Sequence, residues 1–143
     1  MADANIVDYR EHGGDLISAL EAVEKVIGGR GIEPGLHHLM LLRASQINKC
    51  SFCVKMHARD ARKAGETDHR LDHLIVWRHV SDFTAREQAA FAWTEALTEL
   101  KDETDYGRLR EQLRAHFTDA EITTLTAIVS MINLWNRFQI STH

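Results

Sequence analysis

Apolar residues recur every three or four positions along most of the chain, which is the spacing of amphipathic α-helices. Leu16, Leu20 and Val23, for example, fall on one stripe of a helix that a glycine pair then ends. The chain contains a single proline and 8 glycines, so few positions interrupt such segments. The pattern predicts an all-α fold class with seven helices, which cover approximately residues 15–27, 33–47, 48–65, 68–80, 84–100, 106–117 and 118–138.

Residue types that favour helix termini support these boundaries. Pro34 suits the first turn of the second helix, and Asn48 is the expected N-cap of the third. Two capping boxes, each a threonine followed three positions later by a glutamate, begin the fifth and seventh helices at Thr84 and Thr118. No repeat or flexible linker divides the chain, so we expect a single domain over residues 1–143.

The seventh predicted helix is apolar on more than one side. Its apolar positions are Ile122, Leu125, Ile128, Val129, Met131, Ile132, Leu134, Trp135 and Phe138. A helix of this kind must be buried on nearly all sides. Either a central position within the chain or a contact with a partner subunit would bury it.

Composition limits the function classes. Apolar residues make up 44% and charged residues 27% of the chain, and the net charge is -4. Because the basic residues are scattered, we expect no nucleic-acid partner. No apolar run approaches the roughly 18 residues of a membrane span, and the start does not resemble a signal peptide. We therefore expect a cytoplasmic protein with no membrane partner.

The motif that carries chemistry is Cys50-Ser51-Phe52-Cys53, with His57 one helical turn further on. Side chains three apart in a regular helix have Cβ atoms about 5–6 Å apart, whereas a disulfide needs about 3.5–4.5 Å. The pair therefore bridges most easily where a helix begins and its first residue is not yet helical. The positive end of the helix would favour the thiolate there, and so would a protonated neighbouring imidazole.

This arrangement predicts a redox cycle. His57 could accept the proton of the Cys53 thiol and later return it to a leaving group. One thiolate would attack an electrophilic oxygen or a disulfide, and the other cysteine would close the internal disulfide.

Other interpretations of the same residues remain open. Two buried cysteines can simply fill space without reacting. A metal site would use both cysteines and His57, with His37 or His38 as a fourth ligand. Separately, His69 and His73 have the spacing of a chelating pair, with acidic residues close in sequence. We interpret that second cluster as an exposed polar helix face.

The sequence around the cysteines resembles the carboxymuconolactone decarboxylase superfamily, in its AhpD-like alkylhydroperoxidase branch. The similar segments are residues 42–53, Met56-His57, 60–67, 86–97 and 132–137. The resemblance implies an AhpD-like helical bundle that assembles as a homo-oligomer, either a trimer or a hexamer. It also implies a peroxidase that needs no cofactor and uses a hydroperoxide substrate and a dithiol reductant.

The resemblance also implies roles for the site residues. Cys53 corresponds to the cysteine that attacks peroxide, Cys50 to the one that resolves the sulfenic acid and exchanges with the electron donor, and His57 to a member of a proton relay. Where the family has a relay glutamate, twelve residues before the first cysteine, this chain has His38. An imidazole can carry protons but cannot supply a fixed negative charge. We therefore expect an altered relay, in which His38 either assists proton transfer or is only a packed polar surface residue.

The alternative function is a redox sensor that forms the disulfide without catalytic turnover.

Overall fold

The computed structural model describes residues 5–143, which form seven α-helices, one 3₁₀ helix and no β-strand. The elements are α1 (Tyr9–Gly28), α2 (Pro34–Ile47), α3 (Ser51–Lys63), α4 (Asp68–His73), the 3₁₀ helix (Leu74–His79), α5 (Ala85–Glu99), α6 (Tyr106–Arg114) and α7 (Asp119–Ile140). The predicted all-α class is confirmed. Both predicted capping boxes, at Thr84 and Thr118, are also present.

The first helix begins earlier than the apolar pattern indicated. Asp8 is its N-cap and accepts hydrogen bonds from the backbone N–H groups of Arg10 and Glu11. Gly13 interrupts the helix with non-helical backbone angles, so the two halves are joined across a kink. The half before the kink carries few apolar residues, which is why periodicity alone predicted a start at residue 15.

The fourth predicted helix is wrong in its second half. After His73 the chain continues as a 3₁₀ helix, which has three residues per turn. Leu71, Leu74 and Trp77 follow this spacing of three and are all buried. With three residues per turn, the tighter helix aligns these side chains along one edge, against the core.

The core lies where α2 and α7 cross the other helices. Helix α2 packs on α3, α5 and α7, and α7 also contacts α1 and α6. Their fully buried side chains include Leu39, Met40, Leu125 and Ile128, which meet Phe91 of α5. Much of the apolar surface of α7 is therefore covered within the chain. None of the helices in residues 5–143 has the length and apolarity needed to cross a membrane.

Candidate active site at the Cys50–Cys53 disulfide

The reactive motif lies at a tight reversal between α2 and α3. Asn48 is the C-cap of α2, and Lys49 adopts a left-handed backbone conformation with φ of 58°. Cys50 is extended, with ψ of 97°, and it is the N-cap of α3. Its backbone N–H donates to the carbonyl of Ser45 at 3.1 Å, which closes the turn.

The prediction that Asn48 caps α3 is wrong. The Asn48 side chain makes no capping bond to α3, and its Nδ2 donates to Oδ1 of Asn133 and of Asn136 on α7, both at 2.9 Å. The capping acceptor of α3 is instead the Sγ atom of Cys50, which accepts from the backbone N–H of Cys53 at 3.3 Å. The cysteine itself therefore occupies the helix start.

Cys50 and Cys53 form a disulfide, with their Cα atoms 5.2 Å apart. The extended backbone of Cys50 brings its Sγ closer to Cys53 than a helical residue at the same spacing would. The predicted position of the pair at a helix N-terminus is confirmed.

A buried amide network fixes this turn. Asn136 is completely buried, and its Nδ2 donates to Oγ of Ser45 at 3.1 Å while its Oδ1 accepts from Asn48. Ser45 in turn donates to the carbonyl of Leu41 at 2.8 Å. Asn133 and Asn136 received no role from the sequence. Two asparagines three apart on an otherwise apolar helix are the signal that could have found them.

His57 lies one turn after Cys53 and is only 8% exposed. Its Nδ1 atom is buried and has no hydrogen-bond partner. Burial lowers the pKa of His57 from 6.5 to about 4, and the charges of His38 and His37 act in the same direction, against the opposing effect of Asp60. His57 is therefore neutral at pH 7. It is not the imidazolium that could have favoured a thiolate.

His38 lies on α2 close enough to His57 for their charges to interact. It is half-buried, and its Nδ1 atom is buried without a partner. The neighbouring His37 ring is 6.1 Å away, centroid to centroid, and burial lowers the pKa of His37. The α2–α3 reversal thus brings His38 within electrostatic range of His57, but His38 does not line the pocket that Cys53 and His57 share. Their roles in proton transfer stay predictions.

A pocket of about 400 Å³ opens onto this site. Cys53 and His57 line it, whereas Cys50 does not and is completely buried. The apolar lining comes from Val7, Ile17, Phe52, Met56, Trp135 and Phe138. A larger cavity of about 860 Å³, between α5 and α6, contains neither cysteine and none of these histidines.

The first turn of α1 forms part of the pocket wall. Tyr9 packs edge-on against Phe138 with ring centroids 5.0 Å apart, and its hydroxyl is hydrogen-bonded to Ser141 at 2.8 Å. Asp8 and Arg10 also line the pocket. These residues precede the predicted start of the first helix, so the sequence analysis missed them.

Comparison with curated proteins places the chain among bacterial relatives. Residues 15–96 match the Carboxymuconolactone decarboxylase family. The chain is 31% identical over 135 residues to YdfG, an uncharacterized protein of Bacillus subtilis (strain 168), covering 94% of this chain and 92% of YdfG. It is 32% identical over 108 residues to the uncharacterized protein YnjA of Escherichia coli (strain K12), covering 75% of this chain and 58% of YnjA.

Solved structures give the same assignment. ATU0492 from Agrobacterium tumefaciens is 34% identical with a TM-score of 0.88, over 94% of this chain and 92% of that one. Its function is unknown, and a role as the antioxidant defence protein AhpD has been suggested for it. The debrominase Bmp8 has a TM-score of 0.82 over 92% of this chain and 71% of its own, but at 16% identity only the fold is comparable. The chain belongs to the carboxymuconolactone decarboxylase family, in its AhpD-like branch.

Proposed function

We propose that the protein is a thiol-dependent peroxidase that reduces organic hydroperoxides with its Cys50–Cys53 pair. The observation that carries this proposal is the unequal placement of the two sulfurs. They are bonded to each other, but only Cys53 lines the pocket, and His57 lines the same pocket. A nucleophile and a proton acceptor thus border a space that can hold a substrate.

The first step uses the reduced pair. His57 takes the proton of the Cys53 thiol, and the thiolate attacks the terminal oxygen of the hydroperoxide. The O–O bond breaks, Cys53 becomes a sulfenic acid, and the alkoxide receives the proton from His57 and leaves as an alcohol. The low pKa of His57 leaves the ring neutral before the reaction, and because burial makes the imidazolium costly, the proton should pass to the alkoxide as the O–O bond breaks.

The second step re-forms the disulfide. The sulfur of Cys50 attacks that of Cys53, the S–O bond breaks, and hydroxide leaves with the Cys50 proton as water. The backbone N–H of Cys53, which lies 3.3 Å from Cys50 Sγ, would stabilise a Cys50 thiolate at the start of α3.

The burial of Cys50 changes the reduction step that the family resemblance implied. Cys50 is fully buried, whereas Cys53 is 3% exposed and lines the pocket, so we propose that a donor dithiol attacks the Cys53 sulfur from the pocket and releases Cys50 as the thiolate. The second thiol of the donor then displaces Cys53 and leaves the donor oxidised.

Single-cysteine variants test this order of attack. Cys50→Ser, which keeps Cys53, should react with an aromatic disulfide reagent much faster than Cys53→Ser, which keeps Cys50. If Cys53→Ser reacted faster than Cys50→Ser, the donor would exchange with Cys50, as the family resemblance implied.

The pocket lining favours a bulky apolar hydroperoxide. Phe52, Met56 and Phe138 offer hydrocarbon and sulfur surface, and such side chains bind apolar groups by removing their surface from water. Cumene hydroperoxide should therefore give a higher kcat/KM than hydrogen peroxide, which cannot use these contacts. Equal kcat/KM values would argue against a substrate site here.

One observation keeps a second function in view. No carboxylate is hydrogen-bonded to Nδ1 of His57 or of His38, and the family's relay glutamate is replaced by His38. A relay without a fixed negative charge would slow turnover. Slow turnover is expected of a redox sensor, which forms the same disulfide but is reduced only slowly.

Thiol counting tests the chemistry that both functions share, and a turnover assay separates them. The reduced protein has two thiols and should lose both after one equivalent of cumene hydroperoxide, then recover both with a dithiol. Cys53→Ser should not react, Cys50→Ser should stop at a sulfenic acid that dimedone traps, and His79→Ala, an exposed histidine far from the pocket in sequence, serves as the control. Sustained turnover supports the peroxidase, and a single slow cycle supports the sensor. Unchanged reactivity of both cysteine variants would exclude both.

A further inference from the structure

A second group of chemically competent side chains lies away from the disulfide, where α4 meets the segment before α5. His69 and His73 are one turn apart on α4, with ring centroids 4.3 Å apart. Asp82 joins them from the turn that follows the 3₁₀ helix. One potential ligand atom from each of the three residues lies within 4.8 Å of the other two.

Both imidazoles face the same carboxylate oxygen. His69 Nε2 is 3.4 Å from Oδ2 of Asp82, and His73 Nδ1 is hydrogen-bonded to that atom. The nitrogen and oxygen ligands of a tetrahedral zinc ion lie about 2.0–2.2 Å from the metal, so they are roughly 3.4 Å from one another. The His69–Asp82 separation already matches this spacing, and the hydrogen bond between His73 and Asp82 would open to admit an ion.

The carboxylate beside His69 and His73 does not come from the acidic residues that are close to them in sequence. Glu66 is bound to Arg70, and Asp68 pairs with Arg62 at 2.6 Å. The tight 3₁₀ helix instead returns the chain so that Asp82, nine residues after His73, reaches the pair.

Asp82 is held in place by contacts that do not involve the histidines. Its backbone carbonyl accepts from Nη1 of Arg70 at 2.6 Å, and Arg70 is itself bound by Glu66 and Glu87. The two carboxylates balance the charge of Arg70, so this cation does not oppose a second one nearby. Because Asp82 is ordered in advance, an ion would lose less free energy in arranging its ligands.

The Asp82 side chain is 17% exposed, whereas that of His69 is 69% exposed. An ion can therefore enter from solvent on the His69 side and keep water in its remaining coordination positions.

We propose that His69, His73 and Asp82 form a binding site for a divalent transition-metal ion, with Zn²⁺ as the best match. Two imidazole nitrogens and one carboxylate oxygen suit zinc, cobalt and nickel, whereas Ca²⁺ and Mg²⁺ prefer oxygen ligands throughout. The bound ion would tie α4 to the segment before α5. The site is independent of the proposed peroxidase cycle, because it shares no residue with the disulfide pocket.

The test uses the full chain with its disulfide closed, so that the cysteines cannot bind the metal. Titration with Zn²⁺ against a chromophoric chelator should show one equivalent bound. His73→Ala and Asp82→Asn should each weaken binding at least tenfold, and His69→Ala, at a more exposed ligand, should weaken it by a similar factor. His12→Ala and His79→Ala, which alter exposed histidines outside the cluster, should leave the affinity unchanged.

Two further measurements keep the test decisive. Zn²⁺ should raise the Tm of the wild type and of His79→Ala but not that of Asp82→Asn. Co²⁺ should give visible absorption bands that are lost in His69→Ala, an exposed position where a folding defect is not expected. Equal zinc affinity in the wild type and the His69→Ala/His73→Ala double variant would overturn the proposal, as would a Tm shift that Asp82→Asn retains. The hydroperoxide-dependent loss of thiols should be the same in His69→Ala as in the wild type.

Discussion

His57 on α3 and His73 on α4 have the same side chain in two different surroundings. His57 is 8% exposed, and its Nδ1 lacks any hydrogen-bond partner. The side chain of His73 is 34% exposed, and its Nδ1 is hydrogen-bonded to Asp82. Burial, which the charge of Asp60 only partly offsets, disfavours the charged form of His57, so its ring is neutral at pH 7. His73 lies against a carboxylate, which attracts cations.

The difference teaches that a histidine's chemistry follows from its neighbours more than from its position in a motif. Both residues lie one helical turn from another potentially reactive side chain, Cys53 or His69. Only the packing around each pair separates the proton transfer that we propose at His57 from the metal binding that we propose at His73. Each of the following predictions changes one side of this comparison.

The largest expected effect is on the reaction with hydroperoxide. His57→Gln should slow sulfenic acid formation by roughly 10²- to 10⁴-fold, the usual contribution of a positioned proton acceptor. His73→Gln should change the same rate less than twofold, because His73 does not line the pocket. Stopped-flow measurement of both variants with cumene hydroperoxide gives the comparison. Equal rates for the two variants would remove His57 from the mechanism.

The second prediction concerns stability at acid pH. In the unfolded chain His57 titrates near its ordinary pKa of 6.5, but in the folded protein its pKa is about 4. Between these values the unfolded state binds a proton that the folded state does not, so stability falls as the pH drops from above 6.5 towards 4. The loss from this group is about 3 kcal/mol at the acid end.

Urea unfolding at pH 7 and pH 4.5 measures this loss. His57→Gln should show a smaller loss than the wild type, and His73→Gln should not reduce it in this way. Burial also lowers the pKa of His37, so part of the loss should remain in His57→Gln. An unchanged pH dependence in His57→Gln would contradict the buried, neutral state of His57.

The third prediction tests the support of the buried site. Asn136→Ala leaves the amide of Asn48 with one acceptor fewer and Ser45 without its donor. Loss of these buried hydrogen bonds should lower the free energy of unfolding by about 1–3 kcal/mol. It should also slow the hydroperoxide reaction, because Asn48 precedes the cysteine turn. Unfolding curves together with the thiol reaction rate measure both effects. A variant as stable and reactive as the wild type would show that the network does not position the cysteines.

The smallest effect is expected at the exposed site without metal. His69→Ala should change the free energy of unfolding in the presence of a chelator by less than about 0.5 kcal/mol, as is usual for exposed positions. With Zn²⁺ added, the wild type should become more stable than this variant. If the free energies of unfolding of the wild type and His69→Ala differed strongly in the presence of a chelator, the contact of His69 with Asp82 would stabilise the fold without a metal ion.

Short-range features were predictable. The two capping boxes and the placement of the CxxC pair at a helix start follow from interactions among residues at most four apart. The assignment of the N-cap to Asn48 failed for a long-range reason, since its amide is used by Asn133 and Asn136, more than eighty residues away. Local preference alone could not reveal that competition.

The sequence by itself determined most of the helices, the two capping boxes and the one-turn spacing of Cys53 and His57, because these depend on hydrogen bonds and periodicity within a few residues. Only the tertiary structure decided that Cys53 rather than Cys50 lines the pocket and that the ring of His57 is buried and neutral. It also decided that Asp82 is the carboxylate beside His69 and His73. These outcomes depend on exposure and charge, which are set where helices distant in sequence pack together.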